Sequence, residues 1–306
     1  MGTGEGAGLT GAERAEGRER VDPHARADWR GAPAWADAHG RWSPRPEPAR
    51  PTEAARAVGE LQGASYERNA FARGTEAEAD ELCARLALEP DHRLLDLGAA
   101  TGRHSRALAA RGCGRPVAVD LSHTALCAGA AREHDAATAA ADRAAAVPPV
   151  QWVQADARAL PLPAASVDAA VSLCQGGFGL TPDHDRAVLA ELARVLRPGG
   201  RLALTAYSLA FAARFLAPED ALDLPRGLLH APTEIRDAHG RDHPADHWST
   251  CYSPAHLRDL LDAVGLETTG LWGWEPGAPT GRPPVVTDPE LLVVAVRQAS
   301  IREASI

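Results

Sequence analysis

From residue 93 onward, short apolar runs alternate with segments whose apolar positions recur every three or four residues. This is the pattern of strands separated by helices. Residues 93–97, 116–120, 150–154, 167–173 and 201–207 read as strands, the first buried on both faces. Between them, residues 105–111, 124–133 and 183–195 carry helical spacing, with an alanine-rich extension of the second of these helices through 146 that Pro148 and Pro149 end. Ser122 is placed to cap that helix. Upstream, helices are expected over 53–61 and 76–88, with Thr75 as N-cap and Glu78 at its third helical position. Ser253 caps a helix over 254–264, and residues 266–274 and 291–297 supply two further strands around a Pro- and Gly-rich loop. Strands alternating with helices predict a doubly wound α/β sheet.

Two regions fall outside that rhythm. Residues 1–50 carry eight acids and eight arginines with no apolar periodicity, and read as a flexible leader in which Trp29, Trp35 and Trp42 are candidate docking residues for the domain, a second subunit or a partner. Residues 208–252 show no strand–helix unit and are too long for an ordinary connection. They read as a lid over the substrate, inserted in one domain spanning 51–300.

The first strand ends in Asp96-Leu97-Gly98-Ala99-Ala100-Thr101-Gly102 and then opens a helix, so a ligand can approach a small-residue turn beside unpaired helix N–H groups. The second strand ends in Asp120, where a carboxylate can accept both hydroxyls of a ribose. Three later segments continue the set: Gln154-Ala155-Asp156-Ala157, the run 167–173, and Arg194-Val195-Leu196-Arg197-Pro198-Gly199-Gly200-Arg201-Leu202. Over residues 53–298 this ordered set resembles the class I S-adenosylmethionine-dependent methyltransferases of the bacterial small-molecule type.

The resemblance implies a Rossmann-like, seven-stranded sheet with helices on both faces and its last strand pair antiparallel. It implies S-adenosylmethionine as cofactor, held by Asp96, Gly98, Ala100 and Gly102 at the loop, by Asp120 and Leu121 at the ribose, and by Asp156 and Ala157 at the adenine. It also implies that residues 65–75 close over the loop, making Tyr66 and Phe71 pocket candidates. The family pattern has glycine where this chain has Ala100, which puts a methyl group where backbone and cofactor meet.

Methyl transfer is an in-line displacement that needs alignment first, and a base only when the acceptor must lose a proton. Ligands in such sheets lie beyond the carboxyl ends of the strands, which points to the segment after the fourth strand and to the lid. Gln175, His243 and His247 are the catalytic candidates; His104, Tyr66, Phe71, Phe178 and Trp248 are the substrate-binding ones. His243 and His247 have the spacing of helical metal pairs, but Pro244 between them argues against an undisturbed helix, and no metal is expected.

Composition narrows the function classes. A net charge of −9 without a basic stripe argues against nucleic acid and anionic membrane as partners. The absence of lysine excludes Schiff-base chemistry. Five scattered cysteines, odd in number and without a Cys-x-x-Cys pair, read as reduced thiols of a cytoplasmic protein. The expected activity is methyl transfer to a small molecule, in secondary-metabolite biosynthesis. Two alternatives stand beside it: a fold that has lost methylation and catalyses another displacement such as ring closure, and a non-catalytic subunit acting through the leader.

Overall fold

A computed structural model describes residues 51–139, 147–237 and 239–299. The leader with its three tryptophans, the alanine-rich extension over 140–146 and the Phe71 side chain lie outside the described residues.

Five parallel strands form the centre: β1 (Arg93–Leu97), β2 (Arg115–Asp120), β3 (Gln151–Gln154), β4 (Val167–Ser172) and β5 (Leu196–Ser208). Antiparallel β9 (Leu266–Glu275) and β11 (Glu290–Arg297) extend the sheet beyond β5, and the two-residue β10 (Ala278–Pro279) edges it, giving the order β10-β9-β11-β5-β4-β1-β2-β3. The seven-stranded sheet expected from the sequence is therefore present, with one short added edge.

Alternation divides the core. Leu95, Leu97, Val117 and Val119 face a cluster with Val188, Leu189 and Leu192 of the helix Pro182–Val195 (α5) and Leu257 and Leu261 of Pro254–Asp262 (α7). Leu94, Val171, Ala203 and Leu292 face the other way, onto Ala79, Leu82 and Leu86 of α2 (Thr75–Leu86) and Leu108 of α3 (Arg103–Ala110). At about 25 cal/mol per Å² of apolar surface, these two layers supply the main driving force for folding. Helix α1 (Pro51–Gln62), followed by 3₁₀ turns over Gly63–Arg68 and Ala70–Gly74, precedes α2. Helix α4 (His123–Ala139) starts at the Ser122 cap, whose Oγ accepts from Ala125 N at 3.1 Å.

Two readings are corrected. Glu78 is no capping partner of Thr75: it is fully buried and bound to Arg103 and His104 across the α2–α3 interface. Cys83 and Cys113 form a disulfide with a Cα–Cα distance of 5.9 Å, because the end of α2 packs against the turn after α3. Thirty residues separate them, and scattered spacing hid the contact. Cys127, Cys174 and Cys251 are free thiols.

The insertion is a small β-structure. After α6 (Leu209–Arg214) come β6 (Ala221–Asp223), β7 (Leu228–Arg236) and β8 (Asp242–Tyr252), an antiparallel meander. The end of β8 also pairs in parallel with β5, Tyr207 opposite Cys251, so the meander stands on the carboxyl edge of the central sheet.

Candidate functional site

A cavity of about 490 Å³ opens at that carboxyl edge. Its floor is made by the loops after β1 and β4, one end by β2 and the segment after β3, and its cover by α1, the Gly63–Arg68 turn and the β7–β8 hairpin.

The β1 loop is shaped by a neighbour as much as by any ligand. Gly98 has φ +72°, and a Cβ there would fall 1.2 Å from Gly176 O; a Cβ on Gly176 would fall 2.2 Å from Gly98 O. The two loops thus meet backbone to backbone. Gly102 has φ +64° and packs under the Trp152 ring, where a Cβ would sit 2.5 Å away, so its role is to seat α3 against β3. Ala100 adopts φ +49°, the left-handed conformation of a glycine. The chain accepts a cost of about 1 kcal/mol there and keeps the loop shape.

Asp120 ends β2 at the cavity wall. Its Oδ2 accepts from Ala100 N at 2.7 Å and its Oδ1 from Ser122 N at 2.8 Å. Burial raises its pKa, while those two backbone N–H groups oppose the shift. A carboxylate offers about four lone-pair sites, so both oxygens retain capacity for hydroxyl donors. Leu121, Asp156 and Ala157 line the same end, with Asp156 held at 2.6 Å by Arg158.

After β4, Cys174 and Gln175 have φ of +53° and +57°, two consecutive left-handed residues without glycine's freedom. Their strain, about 1–2 kcal/mol each, is held by Cys174 N donating to Thr205 Oγ1 at 2.8 Å and Gly176 N donating to Leu173 O at 3.0 Å. The result aims Gln175 at the hairpin. His247 Nε2 lies 3.0 Å from Gln175 Oε1; Ser249 Oγ donates to that oxygen at 3.2 Å and lies 2.8 Å from His247 Nε2. Gln175 Oε1 can only accept, so this contact is made by a protonated His247 Nε2.

Asp185 of α5 braces the loop from below. Its Oδ1 accepts from Gly179 N at 2.8 Å and Leu180 N at 3.1 Å, and its Oδ2 accepts the Tyr252 hydroxyl at 2.6 Å. Thr250 N adds a bond of 2.7 Å to Gly179 O. Strand β8 and the β4 loop are therefore one hydrogen-bonded unit.

Of the residues predicted from sequence, Gly98, Ala100, Asp120, Leu121, Asp156, Ala157, Gln175, His247, Tyr66 and Trp248 border the cavity. Five do not. Asp96 is buried beneath the loop, accepting from Ser105 N and Ser105 Oγ, the latter at 2.6 Å, and it ties β1 to α3. Gly102 seats α3. His104 points back along α3 to Glu78, 2.8 Å away, and is 6% exposed, so it meets no substrate. Phe178 is fully buried and stacks on Tyr252 at 5.3 Å, anchoring the loop instead of lining the pocket. His243 lies near the far end of the hairpin, 2.9 Å from Asp237. Four residues along a strand span about 13 Å, so the His243–His247 spacing makes no pair.

Sequence reasoning missed Ser249, which period-2 alternation on β8 places on the His247 face. It also missed the buried Arg103–Glu78 pair. Arg103 Nη1 donates to Glu78 Oε2 at 2.5 Å and Thr75 Oγ1 at 2.7 Å, and Nη2 reaches Cys174 Sγ at 3.2 Å. Burial pushes the Glu78 carboxyl up, but the His104 hydrogen bond and the Arg103 charge outweigh it and leave the pKa lowered to about 2.

Residues 94–200, from β1 to the start of β5, match the family described as a methyltransferase domain. Over these residues the chain carries a methyltransferase domain. A demethylmenaquinone methyltransferase of Clavibacter sepedonicus is 41% identical over 117 residues, 38% of this chain and 41% of its own length. The chain thus spans about two fifths of that curated relative. In fold, the chain is similar to the CcbJ methyltransferase of Streptomyces caelestis, with a TM-score of 0.64 at 18% identity over 80% of this chain and 99% of that one. It is also similar to the S-adenosylmethionine-bound CalS10, an amino pentose methyltransferase of Micromonospora echinaspora, with a TM-score of 0.50 at 24% identity over 73% and 92%.

The residues present fit the cofactor of this domain class. Asp120 keeps acceptor capacity at the end of β2, and Ala100 preserves the left-handed loop. No helix among the described residues is long and apolar enough to cross a membrane.

Proposed function

We propose that the protein transfers the methyl group of S-adenosylmethionine to a small, largely apolar acceptor held under the β7–β8 hairpin. The observation that carries this reading is the junction of Gln175, His247 and Ser249 where the hairpin meets the β4 loop. Tyr207, Phe211, Leu229, Ala231 and Ile235 give the acceptor half of the cavity an apolar wall.

The bound cofactor supplies an electrophilic methyl group on a sulfonium. Asp120, Leu121, Asp156 and Ala157 hold the nucleoside; the Gly98–Gly176 seam fixes the loop on which the tail rests. The hairpin and α1 exclude water and orient the acceptor toward the carboxyl edge, and proximity supplies much of the acceleration. His247 is the proton acceptor of this reading, held beside Gln175 and Ser249 at the mouth of the β4 loop. Ala100 gives no ground for a lost methylation activity, because its loop keeps the left-handed form. The matched curated relatives cover about two fifths of this chain, so their acceptors are not carried across. A biosynthetic role in the cytoplasm, in secondary metabolism, belongs to this reading.

Calorimetric titration with S-adenosylmethionine and S-adenosylhomocysteine tests it first; micromolar binding of both is expected, and binding of neither overturns it. Screening phenolic, amine and 1,3-dicarbonyl acceptors with methyl-labelled cofactor then identifies the acceptor. On that acceptor His247→Ala is expected to lower turnover by about 10²–10⁴-fold while S-adenosylhomocysteine affinity stays within about threefold.

A further inference from the structure

Helix α1 and the Gly63–Arg68 turn close part of the cavity, where Val58, Gln62, Tyr66 and Asn69 border it. Yet this segment adds nothing to the core. Among the described residues, no side chain between 55 and 74 belongs to an apolar cluster, and Val58 and Leu61 are only half-buried. Helices in proteins owe most of their stability to a packed apolar face, so one that covers a cavity without such a face is held by other contacts.

Two glutamates supply them. Glu60 reaches the start of α4, where its Oε1 accepts from His123 N at 3.0 Å and its Oε2 accepts from Thr124 N at 3.3 Å and from the Thr124 hydroxyl. It is a carboxylate cap lent to α4 by another helix. Further along, Glu67 Oε1 accepts the Thr101 hydroxyl at 2.6 Å and Arg106 Nη2 at 2.5 Å, with Arg132 Nη1 3.6 Å away. Arg132 Nη2 also donates to Ala64 O at 2.5 Å. The Glu67 and Arg106 side chains are each 25% exposed, so their ion pair is open to screening by salt.

The partners of both glutamates adjoin Asp120. Thr101 is fully buried and follows Ala100, whose N–H binds Asp120 Oδ2; His123 and Thr124 follow Ser122, whose N–H binds Asp120 Oδ1. A ligand held at Asp120 therefore shares the cavity with the underside of the fastened segment. We propose that residues 55–69 are a gate for cofactor entry and product release, and that Glu60 and Glu67 are its latches. The gate rests on the cofactor reading given under the proposed function. A segment whose attachments are polar, partly exposed and few belongs to the class that opens locally while the core stays folded. Both latches join protein to protein, so the gate must open for passage in either direction. Weakening a latch then speeds entry and exit together and leaves their ratio unchanged.

The test follows S-adenosylhomocysteine on and off the immobilised full-length protein by surface plasmon resonance. Glu67→Gln keeps an acceptor for the Thr101 hydroxyl and removes the charge. It is expected to raise the association and dissociation rates together by about three- to tenfold, the worth of two partly exposed ion pairs, with Kd within about twofold. In the wild-type protein, raising salt from about 0.05 M to about 0.5 M should speed both rates about threefold, and in Glu67→Gln by less than about 1.5-fold. S-adenosylhomocysteine carries no net charge near neutrality, so screening of its own attraction to the protein does not imitate this effect.

Rates that stay the same in Glu67→Gln overturn the latch. A dissociation rate that rises alone, with Kd weakened by the same factor, overturns the gate, because Glu67 would then support the bound state and not the barrier to exchange. The salt series needs no substitution, so it decides the matter even if the variant does not fold: wild-type rates indifferent to salt overturn the proposal. Wild-type protein that does not bind S-adenosylhomocysteine overturns the cofactor reading itself, a separate and recognisable failure.

Discussion

The floor of the cavity and its cover are built by opposite strategies. The floor, from β1 to the β4 loop, depends on short local signals: a glycine loop, an acid ending the second strand and small residues where backbones touch. The cover depends on pairing between β7 and β8 that no local motif announces, and on two stitches, Tyr252 to Asp185 and Thr250 to Gly179, that join it to the floor. The floor is specified by backbone shape and tolerates little. The cover is specified by side-chain alternation and by where it is fastened.

The sharpest way to break that contrast is Gly98→Ala. A methyl group at φ +72° and 1.2 Å from Gly176 O cannot be accommodated without parting the two loops. A destabilisation of about 4 kcal/mol or more is expected in thermal or urea unfolding. A loss below about 1 kcal/mol would show that the seam is soft. Within the same half, reducing the Cys83–Cys113 disulfide, or substituting either cysteine by serine, should cost about 3–4 kcal/mol for a loop of this length. Equal melting curves with and without reductant would deny the bond a stabilising role.

Asp185→Ala removes the acceptor of two backbone donors and the Tyr252 hydroxyl at once. About 3 kcal/mol is the expected loss, together with faster hydrogen exchange in β8 that leaves β1 and β2 protected. Exchange that rises equally everywhere would mean that cover and floor unfold as one.

Glu290 gives the pH dependence. Its folded pKa lies above the unfolded value of 4.5, so its contribution to stability is full below about pH 4.5 and is lost as pH rises through 7. Glu290→Gln should therefore be more stable than wild type by up to about 3 kcal/mol at pH 8 and no more stable at pH 4. The smallest effect belongs to Ala100→Gly. Relief of the left-handed strain, offset by a looser unfolded chain, should change stability by about 1 kcal/mol or less and S-adenosylhomocysteine affinity by less than about threefold.

How much of this was legible beforehand follows the same division. The five central strands, the antiparallel pair that closes the sheet and the place of Asp120 at a strand end could be read, because each depends on local signals; Gln175 and His247 were named separately, and their meeting was not foreseen. The hairpin could not be read: Leu229, Ala231, Thr233 and Ile235 alternate with polar residues only once β8 is known to lie beside them. His243 was misplaced for the same reason, since its spacing from His247 means adjacency on a helix and separation on a strand. Glu78 and the Cys83–Cys113 bond were missed because they record how α2 lies against α3, a tertiary fact without a local signature. Phe178 was misread because an aromatic residue in a glycine-rich loop looks the same whether it faces a ligand or anchors the loop.

The register of the hairpin also has a meaning for diversification. Leu229 pairs with Ser249 and Ala231 with His247, so pocket-facing positions lie on one face of a ladder whose fastening points, Thr250 and Tyr252, come after them. Residues on that face can be exchanged in pairs, large for small, to redraw the outline of the accepted molecule without loosening either stitch. The hairpin is thus a natural unit for laboratory evolution, with recognition varied in one short paired segment while the rest of the catalyst is inherited unchanged.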